Sequence, residues 1–377
     1  MTRRKEVNLP PLKFILSGGG TGGHIFPAIA IANALKAMHP DAEFLFVGAK
    51  GRMEMEKVPA AGYKIEGLWI SGLQRRFTID NLSFPFKVIS SILHARRILR
   101  RFKPDAVIGT GGYASGPMLR VAARAGVPTL IHEGNSYPGI TSKILAGSVD
   151  RICVAYDNME RFFPKEKLLV TGNPVRQDIL KLDGKRARAI EMFKLDGERP
   201  IALVIGGSLG ARTVNEAIGA GLQRLGEAGI QLLWQTGEAW APKAIELAER
   251  FNGNIRPHAF IREMDYAYAA ADVVVSRAGA SSISELAIVN KPVVFVPSPF
   301  VAEDHQTKNA MALVNKGAGL LVKDADAQTH LITELIKLIN DDERRHQFTV
   351  NIAALAIPDA AQRIASEVMS LINRRKS

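Results

Sequence analysis

Cysteine is almost absent from this chain of 377 residues, and the single Cys153 excludes an intrachain disulfide framework. A protein without disulfides fits a reducing compartment. The segment Met1 to Pro11 is charged and lacks the apolar core of a signal peptide. No run approaches the roughly 20 apolar residues that a membrane-spanning helix needs. We therefore expect a cytosolic protein whose contact with a membrane is at most peripheral.

Acidic residues are scarce in the first half of the chain. Residues 1–177 hold 25 of the 49 Lys and Arg residues but 13 of the 37 Asp and Glu residues, whereas the remainder holds 24 of each. The whole net charge of +12 therefore lies in the first half. A charge that served solubility alone would have no reason to segregate. We expect an anionic partner to approach this half.

The basic residues concentrate between Leu73 and Lys103, which hold eight Lys and Arg residues and one acid, Asp80. The segment Leu68–Phe86 is apolar and aromatic, and a helix is predicted from about 87 to 102. One interpretation is a core helix with a solvated basic face. The other is a patch that inserts apolar residues among lipid headgroups while its arginines meet anionic lipid. A nucleic-acid site is disfavoured because the basic residues alternate with aliphatic ones.

A glycine-rich loop dominates the beginning of the sequence. The apolar run Leu12–Ser17 has the length of a strand, Gly18–His24 forms the loop, and a helix is predicted from about 26 to 38, with Pro27 in its first turn. Backbone N–H groups at a helix N-terminus can bind phosphate. A P-loop is excluded because the lysine is missing, and a dinucleotide site lacks an acid after the strand that ends at Val47. A tight turn without a ligand remains an alternative.

The strand–loop–helix pattern recurs along the chain and begins again at Ile201–Ile205 with the loop Gly206–Gly210. This alternation predicts two α/β domains, each a doubly wound parallel sheet, that face each other across a cleft. Gly206-Gly207-Ser208-Leu209-Gly210 also matches the nucleophile elbow of hydrolases. In that alternative Asp272 and either His305 or His330 would complete a triad.

A second candidate stretch follows the strand 272–276. Ser281 and Ser282 can cap the next helix and offer N–H groups to a diphosphate. Glu285, expected in the first turn of that helix, either compensates the helix dipole or accepts hydrogen bonds from ribose hydroxyls. Gln306 is either a sugar contact or a surface residue. Asp324-Ala325-Asp326 resembles a metal motif, but capping of the following helix is favoured, and no His or Cys cluster has metal-ligand spacing.

Several motifs together carry a family resemblance, because they occur in order between about residues 14 and 310. They are Gly19-Gly20-Thr21-Gly22-Gly23-His24, Gly111-Gly112-Tyr113-Ala114-Ser115-Gly116-Pro117, Gly172-Asn173-Pro174-Val175-Arg176, Gly206-Gly207-Ser208-Leu209-Gly210-Ala211-Arg212 and Ser276-Arg277-Ala278-Gly279-Ala280. This set resembles the MurG family of bacterial UDP-N-acetylglucosamine:lipid I N-acetylglucosaminyltransferases. Gly134 departs from the family pattern, in which glutamine is expected between Glu133 and Asn135.

The resemblance implies an α/β GT-B fold of two Rossmann-like domains with the donor in the cleft. It implies an acceptor- and membrane-binding domain over 1–177 and a UDP-GlcNAc-binding domain over 178–360, with a C-terminal helix over 361–377 that packs on either domain. No cofactor or metal is expected. The implied donor contacts are Thr21, Gly22, Gly23, Asn135, Arg176, Ser208, Ile261, Ala280, Ser281, Ser282, Ile283, Ser284, Glu285 and Gln306.

The implied reaction is attack of the 4-hydroxyl of MurNAc in lipid I (undecaprenyl-diphospho-MurNAc-pentapeptide) on the anomeric carbon of GlcNAc. It would proceed with inversion, form lipid II through a β-1,4 link and release UDP. His24 is the candidate general base, with a structural hydrogen bond as the alternative. The enzyme would lie at the cytoplasmic face of the cell membrane, contact anionic lipid but no nucleic acid, and take partners among cell-wall and division proteins. A non-catalytic nucleotide-sugar or lipid-binding protein is the alternative of a different class.

Overall fold

The computed structural model describes residues 10–72, 83–207, 210–251 and 254–376. The chain divides into two compact units. The first unit runs to Gly134, resumes over Pro138–Pro174 and takes up the chain again from Asp359. The second unit comprises Asn135–Tyr137 and Val175–Pro358. Each unit contains one sheet whose described strands are all parallel.

The first unit alternates strands and helices. Its strands are β1 (Lys13–Gly18), β2 (Glu43–Ala49), β3 (Lys64–Leu68), β4 (Ala106–Gly111), β5 (Thr129–Glu133), β6 (Arg151–Val154) and β7 (Leu168–Val170). Its helices are α1 (Gly22–Met38), α2 (Glu54–Ala60), α3 (Phe84–Phe102), α4 (Ser115–Arg124), α5 (Ile140–Leu145) and, from the end of the chain, α14 (Ala360–Lys376). The strand order is β3-β2-β1-β4-β5-β6-β7. Its direction reverses between β1 and β4, where doubly wound sheets bind ligands.

The second unit repeats this arrangement. Its strands are β8 (Ile201–Ile205), β9 (Gln231–Gln235), β10 (Ile255–His258), β11 (Val273–Ser276), β12 (Val293–Phe295) and β13 (Leu320–Leu321), in the order β10-β9-β8-β11-β12-β13. Its helices are α6 (Arg186–Met192), α7 (Arg212–Glu227), α8 (Ala241–Ala248), α9 (Met264–Ala270), α10 (Ala280–Val289), α11 (His305–Val314), α12 (Ala327–Ile339) and α13 (Asp342–Ala353). The order reverses between β8 and β11, which places the loops after these two strands side by side.

The central strands are apolar because helices cover both faces of each sheet. In β1, Phe14 and Leu16 face a core that contains Ile31 of α1, whereas Ile15 faces the opposite layer with Ile98 of α3. All five of these side chains are fully buried. The apolar run at the start of the sequence therefore predicted β1 correctly.

Helix α1 begins at Gly22, four residues before the predicted start at 26. His24 consequently lies in its first turn, and Pro27 lies in the second turn rather than the first. Pro27 has no N–H and cannot donate to the carbonyl of Gly23, one turn earlier. On its other side α1 packs against α14, whose Ile364, Val368 and neighbouring residues are buried in the same core.

Candidate active site

Close contacts determine the path of the first glycine loop. A Cβ on Gly18 would lie 2.0 Å from Oγ1 of Thr110, and one on Gly19 would lie 2.1 Å from Oε1 of Glu54. Gly20 has φ +85°, which L side chains rarely adopt. The loop then reaches Thr21, whose backbone is extended and whose side chain is exposed. Glycine is therefore required by the geometry before any ligand is considered.

Glu54 fixes this loop, although no motif in the sequence singles it out. The carboxylate is fully buried and accepts hydrogen bonds from the backbone N–H of Gly20 at 2.8 Å and of Ala49 at 2.9 Å. It thus joins the loop after β1 to the end of β2. An acid at the start of the helix after β2 was the available signal. Both oxygens accept from backbone groups, so this carboxylate has a structural role in holding the loop.

His24 lies against the loop that follows β4. A Cβ on Gly111 would lie 2.6 Å from Nδ1 and Cε1 of the His24 ring, so the absence of a side chain there makes room for the imidazole. Gly111 also has φ +103°. The hydroxyl of Thr110 donates to the carbonyl of His24 at 2.7 Å. The end of β4 therefore holds the first turn of α1 and positions the half-buried ring of His24.

A buried polar cluster lies at the ends of β5 and β7. His132 is fully buried, and its Nε2 donates to the carbonyl of Gly172 at 3.2 Å. Burial lowers the pKa of His132 to about 4, although the charge of Glu133 opposes the shift. The side-chain amide of Asn173 is buried beside Gly134, with no hydrogen-bond partner among the described residues. The missing side chain at Gly134 leaves space at this amide.

In the second unit, Gln235 links the predicted donor contact Ile261 to the glycine loop that follows β8. Its Oε1 accepts from the N–H of Ile261 at 2.9 Å, and its Nε2 donates to the carbonyl of Gly207 at 3.3 Å. Gly210, with φ +80°, passes so close to Thr236 that a Cβ would lie 2.2 Å from its carbonyl oxygen. The sequence analysis did not single out Gln235, although a polar residue at the end of a buried strand was a signal. Ser208 lies outside the described residues.

Helix α10 begins at Ala280, so Ser281 and Ser282 lie within its first turn. The prediction that they cap the helix is wrong, because the N-cap residue is Gly279. The hydroxyl of Ser281 is buried without a hydrogen-bond partner among the described residues, whereas Ser284 donates to the carbonyl of Ala280 at 3.1 Å. The N–H groups of the first turn carry the positive end of the helix dipole and can bind a diphosphate.

Glu285 lies in the second turn of α10, not in the first as predicted. Its Oε1 lies 3.3 Å from Nε of Arg176, and its Oε2 accepts from the hydroxyl of Tyr268 at 3.1 Å. Burial raises the pKa of Glu285, while Arg176 and the Tyr268 hydrogen bond oppose that shift and Asp178 adds to it. Dipole compensation acts within the first turn, so it does not account for this carboxylate.

The remaining predicted residues of the second unit are held by polar contacts. Asn135 accepts from the side-chain amide of Asn309 at 3.3 Å, and Asn309 also accepts from the N–H of Ser136 at 3.0 Å. Gln306 accepts from the N–H of Ser298 at 2.9 Å. Thr21, Gly22, Gly23 and His24 belong to the first unit, whereas Asn135, Arg176, Ile261, Ala280–Glu285 and Gln306 belong to the second.

The structure argues against the hydrolase alternative. Asp272 precedes β11 and accepts from the N–H of Ile201 at 2.8 Å, so it lies at the amino ends of the strands. Gly206, which follows β8, lies at their carboxyl ends, roughly 13 Å away at the rise of a parallel strand. Asp272 pairs instead with Arg186 at 2.9 Å. This position argues against Asp272 as the acid of a triad, whereas Ser208 lies outside the described residues.

The predicted capping role of the Asp324 motif is also wrong. Asp324 forms a largely buried ion pair with Arg277 and accepts from the hydroxyl of Thr213 at 3.0 Å. Asp326 precedes α12 without a capping hydrogen bond. Among the described residues no group of three His, Cys, Asp or Glu side chains could hold a metal ion. In the same part of the chain no helix is long and apolar enough to cross a membrane.

Comparison with protein families matches both halves of the chain. Residues 14–154 match the glycosyltransferase family 28 N-terminal domain, and residues 201–364 match the corresponding C-terminal domain. The chain belongs to glycosyltransferase family 28. It is therefore a glycosyltransferase, and its two parallel-sheet units give it the GT-B fold, as the motifs predicted.

Two bacterial relatives align with this family 28 member over nearly their whole length. The Flavobacterium psychrophilum protein is 52% identical over 367 residues, covering 97% of this chain and 99% of the relative. The Cytophaga hutchinsonii protein is 54% identical over 364 residues, covering 96% and 98%. Both are named UDP-N-acetylglucosamine--N-acetylmuramyl-(pentapeptide) pyrophosphoryl-undecaprenol N-acetylglucosamine transferase. These names agree with the family resemblance of the sequence motifs.

A solved structure supports the same assignment. The crystal structure of Acinetobacter baumannii MurG superimposes with a TM-score of 0.77 at 27% identity, covering 96% of this chain and 100% of that one. A complex of Staphylococcus aureus MnaA with UDP is similar in fold, with a TM-score of 0.66 at 15% identity, and covers 97% of each chain. The predicted membership of the MurG family is confirmed.

Proposed function

We propose that this glycosyltransferase moves GlcNAc from UDP-GlcNAc to the 4-hydroxyl of MurNAc in lipid I, with inversion at the anomeric carbon, and so forms lipid II for peptidoglycan synthesis. The observation that carries the proposal is the identity of 52% and 54% to relatives named for this transfer, over almost the whole of each chain. The implied substrates are a nucleotide sugar and a diphosphate lipid. Both need sites for phosphate.

The donor is assigned to the second unit. Glu285 would accept hydrogen bonds from the ribose hydroxyls, and Arg176, 3.3 Å from its Oε1, would keep the carboxylate ionised. The first turn of α10, with the buried hydroxyl of Ser281, would bind the diphosphate. The backbone of Ile261, whose N–H is held by Gln235, would contact the base. Asn135, Gln306 and Ser208 complete the donor contacts proposed in this unit, and Thr21, Gly22 and Gly23 are those proposed in the first unit.

The acceptor is assigned to the first unit, where the net positive charge of the chain lies. His24, in the first turn of α1, would remove the proton from the attacking hydroxyl. The N–H groups of Thr21, Gly22 and Gly23 would bind phosphate or sugar. His24→Ala should lower kcat by about 100-fold, the usual contribution of a general base. Retention of near-normal kcat would refute the assignment, and His39→Ala at the other end of α1 is the matched control.

Release of UDP requires stabilisation of the negative charge that develops on the leaving diphosphate. The N-terminus of α10 can supply this stabilisation through oriented N–H groups. We therefore expect full activity in EDTA. A strict requirement for a divalent ion would contradict this part of the proposal.

Contact with the membrane is assigned to α3. Its exposed Phe86, Ile89 and Leu93, together with Trp69 and Arg97, line an open depression of about 490 Å³. An apolar surface that includes an arginine suits the interface of an anionic bilayer on the cytoplasmic side. Of the apolar residues in the predicted membrane-contacting segment Leu68–Phe86, Phe77, Ile79 and Leu82 lie outside the described residues, and Phe84 is half-buried.

Liposome flotation tests the membrane contact. Replacement of Phe86, Ile89 and Leu93 by serine should release the protein from anionic vesicles while UDP affinity stays unchanged. A matched control replaces Ile245 and Val350, exposed apolar residues of the second unit, by serine. Equal vesicle binding by the two variants would refute the assignment.

The decisive assay supplies radiolabelled UDP-GlcNAc and a lipid I analogue and measures label in the lipid fraction. Transfer of label establishes the activity. Binding of both compounds without transfer would favour a non-catalytic binding protein instead.

Association with cell-wall and division proteins is a further part of the proposal. Affinity capture from bacterial membranes tests it, with the serine variant of α3 as the control.

A further inference from the structure

Tyr268 lies behind the carboxylate that is proposed to bind ribose. It belongs to α9, is 1% exposed and packs within the second unit. Its hydroxyl donates to Oε2 of Glu285 at 3.1 Å, since a carboxylate oxygen only accepts. The other oxygen, Oε1, faces Nε of Arg176 at 3.3 Å. The two oxygens of Glu285 are thus held from two different elements.

This arrangement matters because a ribose diol needs two acceptors at a fixed spacing. Each carboxylate oxygen has two lone-pair sites, so a contact to Tyr268 or Arg176 leaves one site on the same oxygen for a hydroxyl. Tyr268 is rigidly packed, whereas the Arg176 side chain is partly exposed and can move. The buried tyrosine is therefore the fixed reference for the orientation of Glu285.

We propose that Tyr268 is a positioning residue that orients Glu285 toward the ribose hydroxyls and so sets the preference for ribonucleotides over deoxyribonucleotides. The inference rests on the proposed function, because it takes a uridine nucleotide as the ligand. Tyr268 itself touches no substrate. Its effect is confined to ligands that carry the hydroxyl groups.

The positioning role of Tyr268 should affect the pH dependence of UDP binding, because charged groups surround Glu285. Tyr268, Arg176 and Asp178 all face the carboxylate, and the tyrosine hydrogen bond favours its ionised form. Removal of that bond raises the pKa of Glu285 further. Since the protonated acid loses an acceptor, UDP affinity should fall as the pH drops through this pKa. The fall should begin at a higher pH in a Tyr268→Phe variant than in the wild type.

Calorimetric titration of the full chain with UDP and 2′,3′-dideoxy-UDP provides the test. Tyr268→Phe keeps the ring in the core and should weaken UDP roughly tenfold, the effect of one hydrogen bond to a charged group. Binding of the dideoxy compound should change by less than about twofold on the same reasoning. Tyr266→Phe is the matched control, because this second tyrosine of α9 contacts Lys185 and Arg188 instead.

The outcomes separate the two levels of the argument. Unchanged UDP affinity, or an equal loss for both nucleotides, would overturn the role of Tyr268. Failure of the wild type to bind either nucleotide would overturn the proposed function instead. If Tyr268→Phe does not fold, Tyr268→Met provides a flexible apolar replacement of similar length, and the same selective loss is expected.

Discussion

Substitution of Glu54 by glutamine tests whether one buried carboxylate holds the first glycine loop. Each oxygen of Glu54 accepts one backbone N–H, from Gly20 at 2.8 Å and from Ala49 at 2.9 Å. Glutamine has nearly the same shape but only one acceptor oxygen, so its NH₂ group would face one of the two backbone N–H donors. The substitution loses one charge-assisted hydrogen bond and leaves one backbone donor without its partner, which together cost about 3 kcal/mol.

Calorimetry can measure this cost. For a unit of this size, about 3 kcal/mol corresponds to a lowering of Tm by roughly 6–12 °C. The two units can melt separately, so UDP, the proposed ligand of the second unit, identifies the transition that it raises. Glu56→Gln is the matched control, because Glu56 lies on the same helix with its side chain 78% exposed. Its Tm should change by less than about 2 °C.

Catalysis should respond as well, since the loop precedes His24. A displacement of about 1 Å can lower kcat/KM by roughly 100-fold even when the substituted residue lies outside the chemistry. The reasoning fails if Glu54→Gln melts within 2 °C of the wild type or if its loss matches that of Glu56→Gln. Normal stability with low activity would instead assign Glu54 to substrate binding.

Three further predictions concern the first unit. Glu367→Gln breaks the partly buried ion pair with Arg151 at 2.7 Å, and chemical denaturation should show a free energy of unfolding lower by about 2 kcal/mol. The control Arg363→Gln breaks an exposed ion pair and should lower it by less than about 0.5 kcal/mol. The pKa of His132 is about 4 in the folded protein and about 6.5 in the unfolded chain, so the unfolded chain binds a proton first as the pH falls from 6.5 to 4. This should lower the free energy of unfolding by up to about 3 kcal/mol across that window. His132→Gln should flatten the dependence of Tm on pH over the same window. Burial raises the pKa of Cys153 to about 12, so iodoacetamide at pH 8 should label it only after denaturation; rapid labelling of the native protein would contradict this.

The sequence predicted the features that depend on local pattern. An apolar run of strand length followed by glycines identifies β1 and β8, because strands buried on both faces need continuous apolar residues. Their alternation with helical segments predicts a doubly wound parallel sheet in each half. The glycine loops were recognisable for the same reason, since close backbone approach and positive φ leave few alternatives to glycine. The start of α1 was misplaced because two adjacent glycines and a nearby proline suggest a loop.

The sequence could not predict the side chains that hold the candidate site in place. Glu54 lies 34 residues from Gly20 along the chain, and by itself it looks like an ordinary acid in the first turn of a solvated helix. Gln235 and Tyr268 likewise act through contacts 26 and 17 residues away. The capping role expected of the Asp324 motif is wrong, because the ion-pair partner of Asp324 is Arg277, 47 residues away and outside any local pattern. Such contacts follow from the packing of whole elements, not from spacing along one of them.

The placement of α14 has a consequence for synthesis on the ribosome. Its buried Ile364, Val368 and Ile372 belong to the same core as β1 and α1. The core that contains the first strand of the chain is therefore complete only after the last helix has been synthesised. At roughly 5–20 residues per second, the 189 residues between β7 and α14 take roughly 10–40 s to emerge. During that interval the side of α1 that packs against α14 is without its partner. The nascent chain therefore either binds a chaperone or forms an intermediate that aggregates slowly. Truncation of the chain before α14 should yield insoluble protein.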